Sequence, residues 1–90
     1  MSQLTPILEA EIRIEKLHRQ MALTTADSFR FLQIAREVAK SSPASTWSLS
    51  KVFAGEPCKV LRRDLRRMER WGIVTAESNG SNNIYWSLKP

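Results

Sequence analysis

Apolar residues recur at alternating spacings of three and four through the first quarter of the chain. Ile7, Ala10, Ile14, Leu17 and Met21 fall in one stripe of a helix predicted from Pro6 to about Leu23. Proline suits the first helical position, because its missing N–H has no intrahelical partner there. Thr24 or Thr25 then offers an N-cap, with Asp27 in the following first turn, where a carboxylate meets the positive end of the helix dipole. This second helix is expected to run to about Lys40, with Phe31, Leu32, Ile34, Ala35, Val38 and Ala39 on its broad inner face. Phe29 shares the polar side with Gln33, Arg36 and Lys40, and its natural partner is the N-terminal helix. Ser41-Ser42-Pro43-Ala44-Ser45 reads as a loop, since the residue before a proline resists helical geometry.

From Thr46 the pattern changes to short, closely spaced elements. Trp47 is expected in a brief strand, and Ser48 as the cap of a short helix whose Leu49, Val52 and Phe53 look inward. Ala54-Gly55-Glu56 makes a turn, and Pro57 opens a helix that runs to Trp71 and is stopped by Gly72 in a left-handed cap. Residues 73–77 and 84–88 are strand-like and flank the turn-rich 78–83 loop, which predicts a hairpin.

Ninety residues with 42% hydrophobic and 26% charged composition describe one ordinary globular domain rather than a disordered chain. The first fifteen residues carry Glu9, Glu11 and Glu15 and no apolar run long enough for a signal peptide or a membrane span. The lone Cys58 cannot form an internal disulfide and suits a reducing compartment, so a cytoplasmic protein is expected. The net charge of +5 is unevenly placed: residues 1–23 balance acid and base, whereas residues 46–90 carry an excess of cations. A positive surface of this sort commonly meets nucleic acid, less often an acidic membrane or protein.

The helix over 57–71 concentrates that charge. On a helical wheel Cys58, Leu61, Leu65 and Met68 form the predicted buried face. Lys59, Arg63, Arg66 and Arg70 point almost directly opposite, with Arg62 and Arg67 on the flanks. Like charges at i,i+3 and i,i+4 cost a few tenths of a kcal/mol per pair, and Asp64 and Glu69 relieve only part of that repulsion. One reading is that long arginines merely solvate the outside of a core helix. The other is that the helix meets a polyanion, and its setting favours the second: short helix, tight turn, basic helix, glycine stop and hairpin follow in the order of a winged helix-turn-helix domain.

Residues 48–55 look like the first helix and turn of that motif, and residues 60–74 resemble its recognition helix ending in the pattern L-x-x-L-E-x-x-G-L-V. The segment Ile84-Tyr85-Trp86-Ser87-Leu88-Lys89 is similar to the last wing strand of FaeA-type fimbrial regulators. The resemblance covers residues 28–90 and implies an α+β, mainly α, fold: a three-helix core plus a β-hairpin wing over 24–90. The amphipathic helix of 1–23 is extra. It further implies sequence-specific binding of double-stranded DNA and transcriptional regulation, without cofactor, small-molecule ligand or catalysis. Lys59, Arg62, Arg63 and Arg66 would reach base edges or nearby phosphates. Arg67 and Arg70 would take phosphates, and Lys51, Asn79 and Asn82 would supply auxiliary backbone contacts. The 78–83 loop departs from the usual wing in carrying no lysine or arginine. A different class of function uses the same surface, an adaptor gripping an acidic or DNA-mimicking protein.

The stripe of Ile7, Ile14, Leu17 and Met21 is expected to be buried either against a second copy, making a homodimer, or against Phe29 of its own chain. Cys58 is read as a packed thiol and His18 as a surface or interface histidine; together they are too few to hold a structural zinc. Trp47, Trp71 and Trp86 are read as core and hairpin packing in preference to a base-stacking platform. Asp64 and Glu69 converge with no nucleophile, so no catalytic set is found and an enzyme is not expected.

Overall fold

The computed structural model describes residues 6–78, 80 and 83–89. Four helices, α1 (Pro6–Arg19), α2 (Thr25–Lys40), α3 (Thr46–Val52) and α4 (Cys58–Arg70), are combined with three short strands, β1 (Ala44–Ser45), β2 (Val74–Ser78) and β3 (Ile84–Leu88). The fold is α+β and mainly helical. The sheet is antiparallel in the order β1-β3-β2, with Val74 opposite Leu88 and Ser78 opposite Ile84 in the hairpin, and Ala44 opposite Trp86 on the other edge. A single core is drawn from every helix and from the sheet; its largest fully buried side chain is Trp86, packed among Phe31, Ile34, Leu49, Leu61, Leu65 and Met68.

Helix ends follow local chemistry. Thr24 caps α2, its Oγ1 accepting from the Asp27 N–H at 3.0 Å. At the far end of α4 the Gly72 N–H donates to the Glu69 carbonyl and the Ile73 N–H to the Met68 carbonyl. Gly72 has φ +74° there. This is the Schellman arrangement, in which a left-handed residue lets two otherwise orphaned carbonyls be satisfied, and the buried Met68 and Ile73 supply its usual apolar contact.

The same motif ends α1 earlier than the stripe predicts. The Met21 and Ala22 N–H groups donate to the His18 and Leu17 carbonyls, with Met21 at φ +60°. The chain has therefore turned back before Met21 can join the stripe, and Met21 is 90% exposed. Ile14 and Ala10 are buried in the common core, with Ile7 and Leu17 packed partly against it, so the stripe is covered by its own chain. The buried side of α1 meets α2 around Ser28 and Leu32, while Phe29 stays 66% exposed at the edge of a groove that it shares with Glu15 and His18.

Around α3 the expected boundaries shift. The brief strand is Ala44–Ser45, and Trp47 lies in the first turn of the helix. Ser45, not Ser48, is the N-cap: its Oγ accepts from the Ser48 N–H at 3.1 Å, which ends the strand and starts the helix at one residue. The inner side of α3 is Thr46, Leu49 and Ser50, whereas Val52 is exposed and Phe53 half-buried. Ala39 on α2 is likewise exposed. Helix α4 begins at Cys58 with Pro57 as its N-cap residue, one position later than expected.

Candidate functional site

Helix α4 packs on α3, α2 and β2, and its buried residues are Leu61, Asp64, Leu65 and Met68. The inner face is thus turned toward Asp64, and Cys58, expected in that face, is only half-buried. The cause is ionic. Arg30, from α2, donates from Nε to Asp64 Oδ2 at 3.1 Å and pairs through Nη2 with Glu56 in the α3–α4 turn. Its guanidinium also lies 5.2 Å from the centre of the Phe53 ring. Burial alone would lower the Arg30 pKa, but the hydrogen bonds to Glu56 and Asp64 outweigh that, and the net direction is upward.

Arg67 belongs to the same inner network. It grips Asp27 with both terminal nitrogens, at 2.8 and 3.3 Å, and lies 3.6 Å from Asp64 Oδ1. The hydrogen bond from Arg67, with its charge, holds the Asp27 carboxyl below the usual carboxylate range despite partial desolvation. Arg67 is raised for the reciprocal reason. It therefore ties α2 to α4 through an ion pair, with its side chain still 39% exposed. Neither Arg30 nor the burial of Asp64 was foreseen. The only hint was that Asp64 sits among apolar positions on the flank of the wheel, and no spacing rule links residue 30 to residue 64.

With Asp27, Glu56 and Asp64 engaged by Arg30 and Arg67, the outer side of α4 is left strongly positive. Lys59, Arg62, Arg63, Arg66 and Arg70 are all exposed. Arg66 pairs with Glu69 at 2.9 Å, and Arg63 approaches Asp64 at 3.7 Å. Lys59, Arg62 and Arg70 have no ion-pair partner among the described residues. Lys51 is exposed on the neighbouring α3, its ammonium 3.8 Å from the centre of the Trp47 ring. Asn79 and Asn82, the expected contacts from the hairpin loop, lie outside the described residues.

The three tryptophans separate in role. Trp86 is fully buried and donates from Nε1 to Thr46 Oγ1 at 2.9 Å, with the Arg66 guanidinium 5.3 Å from its ring centre. Trp71 is partly exposed, and Trp47, expected to pack, is 60% exposed. His18 is exposed, with Nε2 3.2 Å from Thr25 Oγ1. Among the described residues no group of His, Cys, Asp and Glu side chains is assembled that could hold a metal ion, and no helix is long and apolar enough to cross a membrane.

Comparison with family models, with curated proteins and with solved structures finds no match to this chain.

Proposed function

We propose that this chain is a winged helix-turn-helix protein that binds double-stranded DNA sequence-specifically and regulates transcription. In this reading α2, α3 and α4 are the three-helix core, β2 and β3 form the wing hairpin, and α1 is an added helix packed on the core. Helix α4 enters the major groove as the second helix of the pair. Lys59, Arg62, Arg63 and Arg66 reach base edges or nearby phosphates, Arg70 takes a phosphate, and Lys51 adds a backbone contact from α3.

The observation that carries this reading is the segregation of charge on α4. Of the acids around it, Asp27, Glu56 and Asp64 are engaged by Arg30 and Arg67, and Glu69 pairs with Arg66 alone. Lys59, Arg62 and Arg70 meanwhile stand on the exposed side without an acidic partner among the described residues. A surface arranged for stability alone would intersperse the signs. A helix that keeps its cations outward, beside a second helix and an antiparallel hairpin, suits a polyanion wide enough to admit a helix in its groove.

Selection of genomic fragments by the purified protein at near-physiological salt tests this directly. The expected result is at least one fragment bound about a thousandfold or more tightly than random duplex, the lower range for specific regulators. A best fragment preferred only a few-fold would contradict specific regulation and turn attention to an acidic protein as the partner of the same face.

A further inference from the structure

Helices α1 and α2 meet along a groove that lies across α2 from the ties to α4. Ser28, Phe29 and Leu32 of α2 line it, whereas Asp27 and Arg30 of the same helix reach α4. The cavity measures about 310 Å³ and is floored by the buried Ile14 and the half-buried Leu32. Small-molecule sites run from about 300 to 1,000 Å³, so a compact ligand fits. A partner helix about 10 Å across does not.

The lining inverts the charge of the chain as a whole. In a protein of net charge +5, the groove presents Glu11 and Glu15 and, among the described residues, no lysine or arginine. Each carboxylate is engaged through one oxygen by a residue outside the lining: Glu11 Oε2 accepts from Arg36 at 3.1 Å, and Glu15 Oε1 from Arg19 at 2.7 Å. The second oxygen of each is an acceptor for a ligand. The side chains of the Glu15–Arg19 pair are 61% and 76% exposed, so that pair holds Glu15 only weakly. Phe29 borders the same cavity with 66% of its surface exposed. An open ring face beside carboxylates is a setting that holds ammonium groups.

We infer that the groove between α1 and α2 binds a small organic cation, an ammonium carried on an apolar body. The ammonium lies against the Phe29 ring and donates to Glu11 and Glu15, and the body covers Ile14 and Leu32. An anion of the same shape meets two carboxylates. A bare metal ion meets an apolar floor that gives it nothing to coordinate. The DNA-binding reading calls for no small-molecule ligand, so this site lies beyond that reading and does not rest on it.

The test titrates the full chain, labelled for amide NMR, with three probes on one skeleton: 4-phenylbutylamine, 4-phenylbutanol and 4-phenylbutyrate. The amine should give saturable shifts confined to residues 11–18 and 25–32, the two stretches that line the groove. It should bind about tenfold more tightly than the alcohol, the worth of a hydrogen bond to a charged group, and the butyrate should not saturate. Phe29→Leu should weaken the amine about fivefold through the lost cation–π contact. Glu15→Gln should weaken it about threefold, as for an exposed ion pair. Both changes fall on exposed side chains, and unchanged amide signals away from the groove check that each variant is folded. Equal affinity for amine and butyrate, shifts centred on α4, or wild-type amine affinity in both variants would overturn the site. So would an amine that fails to saturate in the millimolar range. None of these measurements involves duplex, so failure here leaves the DNA-binding reading standing, and failure of that reading leaves this site standing.

Discussion

Arg30 carries a guanidinium into the space between α2 and α4 and meets two carboxylates, one of them on Asp64, whose side chain is 8% exposed. Removing one member of such a cluster leaves the others desolvated and uncompensated, which is more damaging than losing the attraction itself. Arg30→Met should therefore lower stability by about 3 kcal/mol, read from the denaturation midpoint at unchanged slope. An effect below about 0.5 kcal/mol, the range of ordinary surface changes, would show that the cluster is an adornment of the fold. These charged contacts were the least readable part of the chain. A wheel places Asp64 on a flank, but only the three-dimensional approach of α2 explains why a carboxylate belongs there. Trp47 was misread for a related reason: its size argues for burial, and the outcome depends on where the Ser45 cap starts the helix. Met21 was lost from the stripe because a left-handed residue, rarely predicted at a methionine, closes α1.

Helix α4 was the most readable element, because its apolar positions at 61, 65 and 68 and the glycine at 72 are strong signals of one face and one end. Its two sides lead to opposite expectations. Leu65 is fully buried in the common core, so Leu65→Ala should destabilise the fold by ~2–4 kcal/mol through lost burial and the cavity left behind. Lys59 stands on the outer side, and Lys59→Ala should change stability by less than ~0.5 kcal/mol. Thermal or chemical unfolding of the two variants checks the assignment, and a reversed order would mean that the basic side packs inward. Helix α1 was half readable: the stripe at 7, 10, 14 and 17 was found, but not what covers it. Its burial on α2 means that the fold does not need a second copy to hide those residues. The short elements around residues 44–57 were the hardest to bound, since a two-residue strand and a seven-residue helix leave little periodicity to detect.

At the scale of the whole molecule, the charges around α4 are divided by partner. Asp27, Glu56 and Asp64 face arginines that tie α2 to α4 and to the turn before it, and the remaining cations of α4 face outward. This sorting serves two ends at once, since the inner pairs fix the helix that the outer cations need held still. Composition had already located the positive half of the chain, but not which cations are paired; the grip of Arg67 on Asp27 is visible only in three dimensions. The most direct test of the outer face is the salt dependence of duplex affinity. Four or five phosphate contacts should give a linear log–log plot with a slope of about −4, at about −0.9 per contact. Arg70→Ala should make that slope shallower by about one unit and weaken all duplexes alike. A wild-type affinity indifferent to salt, or a slope unmoved by Arg70→Ala, would contradict the account.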